Sequence, residues 1–235
     1  MHLTFKHPLA AVVLLGAVSA AQAAAVSPTF ESFGTLAGAT FNGSGIPNTA
    51  VAISSDGDRV VLGLTAHQRF VGPNLANNGA GVFSANAGVS AQPPSSPADP
   101  YALWNFAYYI GGTGTSSLIF ELLYDFAPAA GTDASAHGVI TIPGTFLNAT
   151  LAQNSWNLGM NFLATNAPGL VAPGGAFDPT AAGQYTFQLT ARTVAGDVLE
   201  KTAIQVNVNG VPEPGSLMLA GLALAGLATF GRRKA

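Results

Sequence analysis

The chain has 235 residues with a formal net charge of −3, and only 8% of them are charged, against roughly 25% in an ordinary soluble protein. With 28 Gly, 15 Pro and no Cys, it is unlike a cytosolic enzyme or a charged disordered chain, and it has no disulfide to staple it. Setting the two ends aside leaves ten carboxylates and four bases in residues 24–210, a formal charge near −6, which excludes the basic patch that a nucleic-acid partner requires.

The N-terminus reads as a signal peptide over residues 1–23. Lys6, with His2 and His7 nearby, makes a weakly basic start, and an apolar run follows from Leu9 to Ala21. That run is too short to span a bilayer permanently and has no polar face to sit on a globular core. Ala21-Gln22-Ala23 then offers the small-x-small pattern that signal peptidase accepts, which places the mature start near Ala24.

Residues 24–210 carry a period of two, and the expected fold is an all-β, antiparallel β-sandwich, immunoglobulin-like or jelly-roll-like. Thr49–Ser54 and Arg59–Ala66 flank Ser55-Asp56-Gly57 and predict a hairpin. Gly72–Pro100, rich in Asn, Gly, Ser and Pro, is either a mobile surface loop or hides a short strand near Gly81–Ser84. Trp104, Phe106, Tyr108 and Ile110 alternate with smaller or polar residues, as do Leu118, Phe120, Leu122, Tyr124 and Phe126. Joined by a Gly/Thr/Ser loop, these two stretches read as an antiparallel pair with an aromatic core face. Further strands are expected at Gly138–Ile142, Asn157–Leu163, Gln184–Ala191 and Ala203–Val208. Asp178-Pro179-Thr180-Ala181-Ala182-Gly183-Gln184-Tyr185 has the form of a tyrosine corner; an ordinary core Tyr is the alternative.

The C-terminal residues 211–235 form a second processing segment. Gly215–Gly231 is an uncharged, Leu/Ala/Gly-rich stretch of 17 residues, at the lower limit for a transmembrane helix. Arg232, Arg233 and Lys234 follow it as a basic stop on the cytoplasmic side. Just before the stretch, Pro212 and Pro214 keep the backbone extended around the lone carboxylate of Glu213, a form that suits a processing protease.

Val211-Pro212-Glu213-Pro214, the apolar run to Phe230 and the terminal Arg232-Arg233-Lys234 together resemble the PEP-CTERM sorting signal. The resemblance implies a transient anchor in the inner membrane of a Gram-negative bacterium. It also implies cleavage near Pro212–Pro214 by an exosortase, then release or transfer to the cell surface. Such proteins accompany exopolysaccharide and biofilm systems, so exopolysaccharide is an implied partner. The middle of the chain is similar to the exported domain of a subset of PEP-CTERM proteins. That likeness lies at Trp104-Asn105-Phe106, Glu121–Phe126, Asn157–Leu163 and Phe177-Asp178-Pro179, and it carries no activity with it.

Chemistry-bearing motifs are sparse. The chain has no nucleophile elbow, His-Glu-x-x-His, phosphate loop or dinucleotide fingerprint. Within residues 24–210 only His67 and His137 remain, and a triad of His137, Asp133 and some Ser can be drawn only on paper. Asp56, Asp58, Asp125, Asp133 and Asp178 fall at turns, where they could gather structural Ca²⁺ or simply shape the turn. The expected function is that of a non-catalytic surface or extracellular-matrix protein, with no catalytic residue, cofactor or metal assigned. The alternative is an exported glycan-active enzyme or carbohydrate-binding module. Trp104 is expected in the core and Trp156, in a polar context, as the exposed sugar platform.

Overall fold

The computed structural model describes residues 24–70, 74–146 and 151–210; the expected signal peptide and the tail from 211 onward lie outside the described residues. The described residues hold twelve strands and short 3-10 turns but no α-helix. The strands are β1 (Ser32–Gly34), β2 (Val51–Asp56), β3 (Val60–Gln68), β4 (Ala76–Asn77), β5 (Val82–Asn86) and β6 (Trp104–Gly111). They continue with β7 (Leu118–Tyr124), β8 (Gly138–Pro143), β9 (Ala152–Trp156), β10 (Leu170–Val171), β11 (Gly183–Thr193) and β12 (Val198–Asn209). One sheet runs β1-β2-β3-β6-β9, and a second runs β10-β8-β7-β11-β12-β5-β4.

The two sheets enclose one apolar core. Leu62, Leu64, Phe106 and Ile110 from the first sheet meet Phe120, Leu122, Phe187 and Ile204 from the second, all with essentially no solvent exposure. Phe106 stacks on Phe187 at 4.4 Å between centroids, and Trp104 tilts against Tyr185 at 5.7 Å. Each such ring contributes roughly 1.5–3 kcal/mol by burial, and its pairing with another ring about 1 kcal/mol more. Side-chain hydroxyls stitch the layers as well: Thr202 donates to the Ala52 carbonyl at 3.1 Å, and Ser54 to the Lys201 carbonyl at 2.9 Å.

Several expected elements appear where the periodicity puts them. β2 and β3 form the hairpin, turning at Asp56–Arg59 with Gly57 at φ +53°. Tyr185, almost fully buried, donates its hydroxyl to the Ala181 carbonyl at 3.2 Å, while Asp178 caps the Thr180 N–H at 2.8 Å. This is the tyrosine corner, and burial pushes the Tyr185 phenol up to about 12. The long Gly72–Pro100 stretch does hide a strand, β5, which pairs with both β4 and β12.

Three expectations are corrected. The sheets are not wholly antiparallel, because β5 and β12 run parallel. The chain between them includes all of β6 to β11, so no short turn dictates their relative direction. β6 and β7 do not pair with each other: β6 lies between β3 and β9, and β7 between β8 and β11. The Gly111–Gly114 link and the 3-10 turn Thr115–Ser117 carry the chain from one sheet to the other. Gly112, at φ +121°, passes so close to the Arg59 carbonyl that a Cβ would sit 2.5 Å from its oxygen. Both aromatic stripes face the core, but from opposite sides.

The third correction concerns Asn157–Leu163, which is a turn followed by the 3-10 helix Asn161–Ala164, with the strand lying just before it. Asn157, fully buried, accepts from the Ala102 N–H at 2.9 Å and the Gly159 N–H at 3.1 Å. Its amide nitrogen donates to the Trp104 carbonyl at 2.8 Å and to Asn105 Oδ1 at 2.8 Å. The side chain thus takes the place of a strand neighbour, and Leu158 and Leu163 bury from a turn rather than a strand. Asn157→Asp replaces those donors with a buried charge facing carbonyl oxygens. It should cost about 3 kcal/mol or more, a fall of roughly 6–12 °C in melting temperature, checked by thermal unfolding.

Candidate functional site

Because the even-numbered residues of β6 fill the core, its odd-numbered ones face outward, and the neighbouring strands follow suit. His67 on β3 lies opposite Asn105 on β6, and Ser155 on β9 lies opposite Ala107. The three side chains meet on the outer face of the five-stranded sheet. His67 Nδ1 is 2.8 Å from the Gln68 carbonyl, which can only accept, so Nδ1 carries the proton. Nε2 then accepts from the Ser155 hydroxyl at 2.8 Å, and Asn105 Nδ2 donates to the same Ser155 oxygen at 3.0 Å. Burial lowers the His67 pKa, outweighing the Gln68 carbonyl that raises it, and the ring is neutral at pH 7.

Above this floor, the segment between β1 and β2 folds over the sheet. Phe41 is fully buried with Leu36, Ala39, Val51 and Ala107 in a second, smaller apolar cluster. Gln153 Oε1 accepts from the N–H groups of Thr40 and Phe41 at 2.9 and 2.7 Å. Asn48 Nδ2 ties down the Leu36 and Ala39 carbonyls at 3.1 and 3.2 Å. Opposite, Arg69 is buried, with its guanidinium 4.3 Å from the Phe70 ring centroid and 4.7 Å from that of Tyr101. Its Nη2 donates to the Pro93 carbonyl at 2.9 Å. Between these walls opens a cleft of about 420 Å³.

Phe41, Asn42 and Phe70, at φ +48°, +57° and +60°, are the non-glycine residues with left-handed backbone among the described residues, and all three line this cleft. Each costs on the order of 1–2 kcal/mol, strain that folded proteins hold where the surroundings over-determine it.

The residues singled out in the sequence lie elsewhere or behave differently. Trp104 is core, as expected. Trp156 is no open platform: it is half-buried, with Phe106 at 6.1 Å, Tyr108 at 4.8 Å and Phe162 at 5.2 Å between centroids. The Asp133 carboxylate does not reach His137; it caps the Ser135 N–H at 2.8 Å, and only its backbone carbonyl meets His137 Nδ1. Asp178 closes its own turn in the same way on Thr180. Among the described residues no three His, Asp or Glu side chains converge on one point. His67, Asn105, Ser155 and Phe70 went unassigned in the sequence. The one local signal there was the outward position of Asn105 between two core aromatics.

One buried polar group stands apart. Asp125, its side chain 1% exposed, accepts from the Ala127 N–H at 2.8 Å, and its other oxygen is 4.0 Å from His137 Nε2. That imidazole nitrogen bonds Thr186 Oγ1 at 2.8 Å.

Residues 210–234 match the PEP-CTERM protein-sorting motif. The chain carries an exosortase sorting signal. The match takes in Val211-Pro212-Glu213-Pro214 and Arg232-Arg233-Lys234, and it begins directly after Asn209, the last residue of β12. This is therefore an exported, cell-surface-directed protein processed by exosortase. No helix among the described residues is long and apolar enough to cross a membrane, and the tail helix expected at Gly215–Gly231 lies outside them. No curated protein matches the chain.

Desolvation raises the Asp125 pKa, against the Ala127 N–H and the neighbouring Thr132, His137 and Thr186, which lower it. The folded state therefore holds this proton more tightly than the unfolded chain does, and this contribution to stability is present at low pH and lost as pH rises through the folded pKa. Asp125→Asn should remove that loss. Its melting temperature relative to wild type should climb between pH 4 and pH 7, a series readable by calorimetry.

Proposed function

We propose that the β domain is a non-catalytic component of the bacterial cell surface or extracellular matrix, delivered there by its own tail. In this reading signal peptidase removes residues 1–23 and Gly215–Gly231 anchors the precursor briefly in the inner membrane. Arg232-Arg233-Lys234 holds the cytoplasmic end, and exosortase cleaves at Pro212–Pro214. The observation that carries this is the sorting motif abutting the last strand, so that cleavage there frees the whole described domain without cutting into β12.

A non-catalytic role suits the cleft. Glycoside hydrolysis ordinarily needs a pair of carboxylates flanking the bond, and among the described residues none lines this cleft. The cleft instead favours the second reading, a carbohydrate-binding module within the exopolysaccharide. Glu213→Ala should leave an uncleaved, membrane-associated form in cells with intact exosortase, matching the phenotype of exosortase deletion. A fractionation blot in which wild-type protein occurs only as the full-length membrane form would refute the processing scheme.

A further inference from the structure

We infer that the outer-face cleft, lined by Phe70, Gln68, Asn42, Ser44, Asn105 and Ser155, binds one or two units of a neutral saccharide. The inference rests on the proposed extracellular role and names a site for it. Phe70 is 66% exposed, the most exposed aromatic side chain among the described residues with large apolar groups in solvent. Arg69, clamped between Phe70 and Tyr101, fixes the ring's position, and the left-handed backbone at Phe70 aims it outward. An aromatic ring held in water offers a negative π-face to the weakly positive C–H bonds of a pyranose.

Polar groups beside the ring are uncharged and have capacity to spare. The side chains of Gln68, Asn42 and Ser44 are exposed and make no hydrogen bond to described residues. Ser155 donates to His67 and accepts from Asn105, leaving one lone pair, while Asn105 keeps one N–H after bonding Ser155. These groups both donate and accept, as a ligand rich in hydroxyls demands.

Other ligand classes fit less well. Among the described residues no carboxylate lines the cleft, so a cation finds no counter-charge there. Among the described lining residues the one cation is Arg69, whose Nη2 is taken by the Pro93 carbonyl, whose guanidinium lies between two rings, and whose unpaired Nε is sealed from solvent, while a formal charge near −6 on residues 24–210 repels polyanions. A volume of about 420 Å³ lies within the range of small-ligand sites. The walls are set in advance by Gln153 and Asn48, so little ordering accompanies binding.

The test uses the full chain in a detergent without sugar headgroups, titrated with cellohexaose, maltohexaose, xylohexaose and mannohexaose, and with a hexameric polyuronate as the anionic control. Saturation-transfer NMR and calorimetry read the binding. At least one neutral hexasaccharide should bind in the micromolar to millimolar range, more tightly than the polyuronate. Phe70→Ala should weaken it about tenfold or more at unchanged melting temperature, while Phe70→Tyr retains it; Ser155→Ala should weaken it as well, at a lower melting temperature because His67 and Asn105 lose their shared partner. Binding of none of the neutral sugars, a preference for the polyuronate, or indifference to Phe70→Ala would overturn the site. Wild-type protein that ignores every hexasaccharide yet sediments with the cell's own exopolymer would overturn the cleft and leave the matrix role standing. Hexasaccharide binding without any association with exopolymer would do the reverse.

Discussion

Phe106 stacks on Phe187 across the space between the sheets, and that contact decides what each face of β6 can do. With Trp104, Phe106, Tyr108 and Ile110 committed inward, strand alternation sends Asn105, Ala107 and Tyr109 outward. β3 and β9, hydrogen-bonded to either side of β6, inherit the same parity, so His67 and Ser155 arrive beside Asn105. A slip of one residue in either pairing would turn these polar groups into the core and the aromatics into water. The cleft is thus the reverse side of the core.

The outer face would be an open sheet without the segment between β1 and β2. Phe41 anchors that segment in its own apolar cluster, and Gln153 and Asn48 bond its Thr40 and Phe41 N–H groups and its Leu36 and Ala39 carbonyls. Left-handed backbone at Phe41 and Asn42 persists because these contacts leave the chain no relaxed alternative. Asn157 plays a related part at the end of β9, holding Ala102, Trp104 and Asn105 with one buried amide. Side-chain amides secure these irregular parts of a domain that has no cysteine to staple it.

Period-two patterning in the sequence revealed most strands because each is a local signal: β2, β3, β8, β11 and β12 lie close to where alternation and turn residues put them. The sorting tail was equally legible, since its three parts are contiguous. What was not legible depends on distance along the chain. β6 and β7 look like a hairpin until the sheet partner of each is known, and both stripes then prove to face one core from opposite sides. Leu158, Met160 and Phe162 alternate as a strand would, but the Asn157 amide has already taken the backbone partners that a strand would use. Trp156 reads as exposed from its polar neighbours, yet Phe106, Tyr108 and Phe162 pack around it. His67 and Ser155, 88 residues apart, become neighbours only through two strand registers, and no motif announces such a pair.

The outer face of the five-stranded sheet thus carries a cleft built before any ligand arrives. Hydrogen–deuterium exchange on the full chain, read at single amides, tests it most directly. The Thr40 and Phe41 N–H groups, both bonded to Gln153, should exchange orders of magnitude more slowly than unstructured amides, tracking the protection of β6 and β9. Rapid exchange of these two amides while the sheet beneath stays protected would show that the wall is not pre-formed, and would contradict the account.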